Sequence, residues 1–355
     1  MKRKIIISAI TLTISIIINI FIYNDDYMYK TSIMKITSIN TIKEDSNYNA
    51  LGIEEKTYLR KIKGIITNGK EKGNKLEIKY EESYSSIVTD KYRVGDKVFI
   101  KNHNIDGLKR DFYLSLLITI FITLMFIVGE FKGLLSVLSV ILNISIFYIG
   151  LLLYFKGINL LFICMLEAVI FSIISLFISG GINNKTKSAI ISTLVSTSLL
   201  VLLSYIILKI TKYKGINFND LKFLTVPPED LIVPEILMGA LGAVMDVSIT
   251  MSSSISELIE KNKKIGKKEL VKSSKEIGKD IMSTMTNVLF FTYLCGGLPF
   301  FILAFRNGYS IYHYVTNNLS LELTRFLTGS IGIIMTIPIA TFICIKIFKR
   351  GDVNE

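Results

Sequence analysis

Tryptophan is absent from this 355-residue chain, and cysteine, histidine and proline number only three, two and five. The cysteines lie inside apolar segments without C-x-x-C spacing, which argues against a disulfide framework or a zinc site. The two histidines are isolated, so we expect no metal site. Walker A, G-x-G-x-x-G and serine-hydrolase patterns are also missing. We therefore expect no cofactor and assign no catalytic residue.

Apolar residues make up 50% of the chain, and its mean hydropathy is +0.50. This composition is typical of an integral membrane protein. The formal net charge of +12 could indicate nucleic-acid binding. However, the lysines concentrate between apolar runs, where they set membrane topology and attract anionic lipid. We expect the lipid bilayer as a partner and no nucleic acid.

Eight apolar runs are long enough to cross a membrane as helices. They lie near 5–23, 112–129, 133–154, 158–180, 187–210, 231–254, 281–304 and 326–348. The first run has no small-residue cleavage site after it, which favours an uncleaved helix at 1–23 over a signal peptide. The chain is thus predicted to be an α-helical polytopic membrane protein, with a seven-helix membrane domain at 112–355.

Residues 24–111 have a different composition, rich in charged residues, asparagine and glycine. Short alternating runs such as KLEIKY and DKVFIK are typical of half-buried strands. Asn68-Gly69 and Gly73-Asn74 flank a predicted hairpin turn, and Gly95-Asp96 precedes another strand. We expect a small β domain, in the form of a partial barrel, between the first and second helices.

The lysines orient these spans, because loops rich in lysine and arginine stay in the cytoplasm. The segment 261–279 is the most lysine-rich of all. Placing it inside puts both termini in the cytoplasm and the β domain outside the cytoplasm. The same segment is predicted to contact anionic lipid headgroups.

One polar face runs along the fifth span of the membrane domain. Its members, at helical steps of three or four, are Glu235, Gly239, Gly242, Asp246, Thr250, Ser253 and Glu257. The three acids are eleven residues apart, so they could stand near both membrane surfaces and the midplane. A carboxylate at mid-membrane costs roughly 2.5–3.5 kcal/mol, which makes Asp246 the first functional candidate. A protonated acid bonded to a neighbouring helix is the alternative, and the glycines also predict close helix packing.

The next span carries a second polar face made of Asp280, Thr284 and Asn287. Asp280 could equally be an acid favoured by the helix dipole. Glu167 stands alone within an apolar span, where function and structural pairing are equally open. Asn143, in the span before it, is predicted to bond to a neighbouring helix.

The last span opens with Glu322 and Arg325, which are i, i+3 partners at the membrane surface and are expected to form a modest exposed pair. A face of small residues follows, with Gly329 and Gly332 predicted to pack against another helix. Pro338 is predicted to loosen the helix.

Three long blocks give the chain a family resemblance: GALGAVMDVSITMSSSISEL at 239–258, GKDIMSTMTNVLFFTYL at 278–294 and LELTRFLTGSIGIIMTIPIA at 321–340. In this order and spacing they resemble the YibE/F family of bacterial multipass membrane proteins, whose signature would occupy 231–348. The resemblance implies the layout described above and a bacterial inner-membrane location. It implies no particular reaction. The positions that match the family blocks are Gly239, Gly242, Asp246, Glu257, Asp280, Thr284, Asn287, Glu322, Arg325, Gly329, Ser330, Gly332 and Pro338.

Three functions are compatible with these residues. The leading hypothesis is a transporter or permease that moves a proton, a cation or a small solute past the intramembrane carboxylates. The alternative is a membrane-anchored sensor or accessory protein that recognises a ligand through the outer β domain. An intramembrane aspartyl hydrolase using Asp246 and Asp280 is less favoured, because the two acids stand at different depths. Assembly into a homo-oligomer or with a partner membrane protein is left open.

Overall fold

The computed structural model describes residues 2–48, 54–84, 89–218 and 226–348. The C-terminal residues 349–355, part of the terminus predicted to be cytoplasmic, lie outside the described residues. The chain divides into two compact units, Met1–Leu134 and Leu135–Glu355. Six helices in the described residues are long and apolar enough to cross a membrane. The protein is therefore a polytopic helical membrane protein, as its composition predicts.

The first unit contains an antiparallel sheet of five strands, a β half-barrel, ordered β3-β2-β1-β4-β5. The strands are β1 (Ser32–Tyr48), β2 (Glu54–Ile66), β3 (Lys75–Ser83), β4 (Lys97–Lys101) and β5 (Asn104–Leu108). Alternate residues point inward, so that Met34, Ile36, Ile62 and Val98 form its buried core. The β2–β3 hairpin turns through Gly69 and Gly73 at positive φ, at the position that the sequence predicts.

Two helices flank this sheet in the chain, α1 (Lys2–Tyr23) and α2 (Asp111–Phe155). They are joined by polar side chains inside the apolar layer. The Asn19 amide donates a 2.7 Å hydrogen bond to the Thr119 hydroxyl, and the Ser15 and Thr123 hydroxyls lie 2.9 Å apart. Such bonds link neighbouring helices where no water competes.

Helix α2 has 45 residues and contains a break at Glu130, which has φ 51° and ψ −133°. A Cβ at Gly133 would overlap the Met125 carbonyl oxygen, so the chain bends sharply here and only glycine fits. An unbroken helix of this length would measure about 68 Å, roughly twice the hydrocarbon thickness. The break falls between the predicted spans 112–129 and 133–154.

The difference between eight predicted spans and six long helices has two sources. Two predicted spans lie within α2, and the part of α1 with described side chains, Thr11–Tyr23, is shorter than a full span.

The second unit contains the end of α2 and six further helices. They are α3 (Leu160–Gly180), α4 (Asn184–Ile210), α5 (Glu229–Lys261), α6 (Lys267–Arg306), α7 (Ile311–Tyr314) and α8 (Ser320–Phe348). A π-helical turn, Val315–Leu319, joins α7 to α8. The predicted interhelical bond of Asn143 is confirmed, because its amide donates to the Ser175 hydroxyl of α3 at 2.8 Å.

Helices α4, α5 and α8 pack against one another and form the centre of this unit. Small residues allow the close approach: a Cβ at Gly332 of α8 would lie 3.1 Å from the Leu200 side chain of α4. Helix α6 packs on α5 and α8, and α3 packs on α5. The buried apolar residues at the α5–α6–α8 contact include Val247, Met251, Leu289 and Ile333.

Candidate functional site: a polar surface on two adjacent helices

Helix α5 turns its apolar side inward and its polar side outward. Val247 and Met251 are fully buried, whereas Gly242, Asp246 and Thr250 are exposed. The 3.6-residue period that sorts these residues in the sequence therefore also sorts them by burial. Asp246 lies near the middle of the helix, within the stretch apolar enough to cross a membrane.

Helix α6 follows α5 after a short loop, so the two helices run antiparallel. Its polar residues, Asp280, Thr284 and Asn287, are all exposed. On its opposite side, Gly278 and Leu289 are buried.

Helix α8 covers one side of this helical hairpin. A Cβ at Gly329 of α8 would lie 3.3 Å from Leu289 of α6 and 3.5 Å from Ala240 of α5. The residues facing α8 are apolar or small, whereas the polar residues of both helices are exposed. We call this set the α5–α6 polar surface. Its members are Gly242, Asp246, Thr250, Asp280, Thr284 and Asn287.

Two contacts fix the relative heights of residues on α5 and α6. Gly239 of α5 lies against the Tyr293 hydroxyl of α6. Ala240 of α5 and Leu289 of α6 both lie against Gly329 of α8. Counting along both antiparallel helices from these contacts places Asp246 at the height of residues 283–286. Asp246 is thus level with Thr284 and close to the level of Asn287, whereas Asp280 lies about 7 Å nearer the loop. This offset argues against a carboxylate pair that shares a proton.

The chemistry of the α5–α6 polar surface is set by where it lies. An ionised carboxylate facing hydrocarbon costs roughly 2.5–3.5 kcal/mol at mid-membrane, so such acids face water, a polar partner or an ion. Asp246 can accept a proton or a cation, while Thr284 and Asn287 at the same height offer hydroxyl and amide groups. The surface can therefore hydrate or coordinate a small polar species inside the membrane layer.

The other acids of the predicted stripe on α5 are held by partners. The Glu257 carboxylate pairs with Lys261 at 2.7 Å on the exposed end of the helix. Glu235, at the other end, pairs with Arg325 of α8. Of the three evenly spaced acids, Asp246 is the one in mid-helix, whereas Glu235 and Glu257 lie near the two ends of α5 and are ion-paired.

The pair of Glu322 and Arg325 differs from expectation. Arg325 Nη1 lies 2.5 Å from Glu322 Oε1, but the Arg325 side chain is only 14% exposed, because Glu235 covers its other side. The sequence indicates no link between Glu235 and Arg325, which are ninety residues apart. Beside this cluster the Tyr293 hydroxyl is buried and, within the described residues, has no hydrogen-bond partner.

Glu167 lies apart from Asp246. It is 4% exposed on α3 and contacts Gly150 of α2, where a Cβ would overlap its Oε1. Within the described part of the chain, Oε1 has no hydrogen-bond partner. Helix α3 packs on the α5 side that holds Leu237 and Leu241, roughly opposite Asp246. The structure therefore does not bring Glu167, Asp246 and Asn287 into one cavity.

The sequence reasoning missed the buried hydroxyls of α4. The buried serines and threonines are Thr186, Ser188, Ser192, Thr193, Ser196, Thr197 and Ser204. Most of these hydroxyls donate to the backbone carbonyl one turn earlier, as Ser192 does to Ser188. Ser188, Ser192, Ser196 and Ser204 recur at four or eight residues, and this spacing is the signal that could have identified this face. It explains how α4 approaches α5 and α8 so closely.

Among the last-span candidates, Gly329 and Gly332 are buried at helix contacts, and Pro338 is exposed. Helix α8 continues through Pro338 to Phe348. Gly239 is exposed but lies against Tyr293. Gly242 has nothing within 4 Å of the position that a Cβ would occupy.

Comparison with known families gives two matches that together span most of the chain. Residues 117–350 match the model of the YibE/F-like protein, and residues 27–111 match that of the YibE/F family N-terminal domain. The comparisons with curated proteins and with solved structures find no match.

Proposed function

The chain belongs to the family of YibE/F-like proteins, and we propose that it is a membrane transport protein that moves a proton, a cation or a small polar solute along the α5–α6 polar surface. One observation carries this proposal: Asp246 is exposed in mid-helix, at about the same height along the two antiparallel helices as Thr284 and Asn287. A carboxylate in such a position needs water or a polar partner, and intramembrane acids of this kind often mark the pathway of an ion or a proton.

The proposal includes a topology of eight spans. The break at Glu130 divides α2 into two halves, each close to the length of one span. With the lysine-rich segment 261–279 on the cytoplasmic side, both termini are cytoplasmic and the β half-barrel lies outside. The bacterial inner membrane is the proposed location, and the positions of the lysines favour contact with anionic headgroups.

Flux measurements on the purified full chain in proteoliposomes test this function. A proton-sensitive dye inside the vesicles reports proton movement, and isotopic sodium or potassium reports cation movement. We expect Asp246→Asn to abolish most of the flux, because the amide keeps the shape of the carboxylate but cannot ionise. Asp230→Asn is the matched control, because Asp230 is exposed on the same helix outside the polar surface. Equal flux in the wild type, in Asp246→Asn and in empty vesicles would refute transport of these ions.

A membrane-anchored sensor remains a second candidate, supported by the connection between the β half-barrel and the spans. Lys109, which follows β5, contacts Asp25 and Asp26 at the end of α1 and Asp111 at the start of α2. A ligand bound to the sheet could act on both helices through these contacts. Replacing residues 30–108 by a flexible linker discriminates the two functions, because a transporter keeps its flux and a sensor loses its response.

A further inference from the structure

We propose that Glu167 is a proton-binding site. Its carboxyl is protonated while the second half of α2 packs on α3, and loss of the proton separates these two helices. Glu167 and the α2 residues that it contacts belong to the same compact unit. The proposal does not involve the α5–α6 polar surface, and it rests on the transport proposal only where it makes the proton a coupling ion.

Helix α2 lies directly on the Glu167 carboxyl. A Cβ at Gly150 would overlap Glu167 Oε1, so α2 approaches α3 closely at a residue that has no side chain. Farther along the same contact, the Asn143 amide donates a 2.8 Å hydrogen bond to the Ser175 hydroxyl, and the Ser139 hydroxyl lies 3.2 Å from it. These contacts hold the second half of α2 against α3.

In the described parts of the chain, no cation balances a negative charge on Glu167. Helix α3 and residues 135–155 of α2 contain no lysine, arginine or histidine. The α4 and α5 residues packed around this part of α3 are apolar, as Val201 and Leu237 are. Among the described residues, the titratable side chain beside Glu167 is Cys164 on the same helix, and a thiol buried in apolar surroundings is neutral. The carboxyl thus lacks a positive partner, and its Oε1 lacks a hydrogen bond.

A carboxyl group in these surroundings binds a proton. An ionised carboxylate that is buried without a partner is strongly unfavourable, whereas the protonated form is neutral and has one O–H group to donate. Proton binding therefore stabilises the packed arrangement of α2 and α3. The ionised form needs water, which reaches Oε1 only when Gly150 moves away, and an interhelical hydrogen bond such as that of Asn143 is too weak to prevent this movement.

Each separation of the helices releases one proton from Glu167 to the water that enters, and each return to the packed arrangement takes one up. In a transport protein, this exchange makes the proton a coupling ion, whichever species moves past Asp246. The two acids lie apart, so their roles can be tested separately.

Infrared spectroscopy of the purified full chain in lipid measures the protonation state directly. A protonated carboxylic acid has a carbonyl stretching band at a frequency where carboxylates and amides do not absorb. We expect the wild type to show a band at neutral pH that is lost in Glu167→Gln. Glu257→Gln is the matched control and should keep the band, because the Glu257 carboxylate is exposed and paired with Lys261. Equal intensity in the wild type and Glu167→Gln would overturn the proposal.

Cysteine cross-linking tests the coupling to helix separation. Cys295→Ser removes the exposed native cysteine, and the other two are buried. In this background, Ser139→Cys together with Ser175→Cys places two thiols where α2 meets α3, since the native hydroxyls lie 3.2 Å apart. We expect disulfide formation by this pair to fall several-fold as the pH is raised until the infrared band disappears. It should stay high at every pH when Glu167→Gln is added. Thiols react faster at high pH, so thiol chemistry alone would give the opposite trend.

Equal cross-linking with and without Glu167→Gln at every pH would also overturn the proposal, because the proton would then leave the helix packing unchanged. Glu167→Asp is the second variant if the glutamine chain does not fold. It keeps an ionisable group and should show the band at a shifted frequency, and an unchanged band would count against the assignment. Neither measurement uses flux, so a wild type without flux that gives both expected results would refute only the transport proposal.

Discussion

Lys109 is a buried lysine whose charge is neutralised by three acids. It is 4% exposed, and its Nζ lies 2.5 Å from Asp25 Oδ1, 3.0 Å from Asp26 Oδ1 and 3.2 Å from Asp111 Oδ2. Lys109→Met would leave these carboxylates without their partner, and such a loss costs roughly 3–5 kcal/mol. We expect faster hydrogen exchange at the amides of β1 and β4, measured by mass spectrometry.

The control for this prediction is Lys43→Met. Lys43 pairs with Asp45 on the exposed part of β1, at 2.7 Å, and exposed pairs contribute little. Equal exchange rates in the two variants would contradict the role assigned to Lys109.

The same cluster makes the stability of the first unit depend on pH. Burial alone would raise the pKa of Asp26, but hydrogen bonds from Lys97 and Lys109 outweigh it and hold the pKa below the usual 3.8. A lowered pKa stabilises the fold above the unfolded value and ceases to do so as the pH falls through the folded value. The thermal midpoint should therefore fall as the pH decreases below about 4. Asp26→Asn should be less stable at neutral pH and should show a smaller decrease, and identical pH profiles would exclude this contribution.

Residue roles that depend on distant partners could not be predicted from the sequence. Asp25 and Asp26 appear only as the polar end of the first helix, and Lys109 as one of many lysines. Their contact depends on the path of the chain through the β half-barrel, which returns from β5 to the end of α1. No local sequence pattern specifies this path. Asp246, Thr284 and Asn287 could be placed on their helix faces because the helical period is local. Their exposure could not be predicted, because it depends on the position of α8.

At the scale of elements, the crossing of α6 and α8 depends on Gly278. This glycine is buried, and a Cβ there would overlap Ile337 Cγ2. Gly278→Ala should therefore push the helices apart and lower the stability by about 1–3 kcal/mol, as overpacking does. The thermal midpoint in detergent measures the effect.

Gly296 provides the matched control on the same helix, since nothing lies within 4 Å of the position of its Cβ. Gly296→Ala should leave the midpoint unchanged or raise it, because alanine is about 0.5–1 kcal/mol more favourable than glycine in a helix. A decrease as large as that of Gly278→Ala would mean that the α6–α8 contact is not the cause.

Hydropathy predicts most helices of this protein because a span must satisfy its backbone internally. It predicts their ends less well. Helix α6 has 40 residues and begins at Lys267, although the apolar run starts near residue 281, because helical hydrogen bonding continues through the charged residues outside the apolar layer. The charged residues Glu130 and Lys132 interrupt the apolar run where α2 breaks, but the sequence does not indicate that the helix bends sharply there, with Gly133 against the Met125 carbonyl oxygen.

At the scale of the whole molecule, the break at Glu130 determines on which side of the membrane everything after it lies. If α2 crosses twice, the N-terminus and the loop between α5 and α6 are both cytoplasmic. If α2 crosses once, every later segment changes sides, and the lysine-rich segment 261–279 is placed outside, against the positive-inside rule. The cost of translocating so many lysines favours two crossings.

Labelling of single cysteines in intact cells of an expression host measures this topology. In the Cys295→Ser background, Lys264→Cys places a thiol in the exposed loop after α5, and Lys70→Cys places one in the exposed turn between β2 and β3. With a maleimide that does not cross membranes, we expect Lys70→Cys to react at once and Lys264→Cys to react only after the cells are opened. Reaction of both thiols in closed cells would mean that α2 crosses once. The two halves of α2 would then be one bent span, and α5, which carries Asp246, would cross the membrane in the opposite direction.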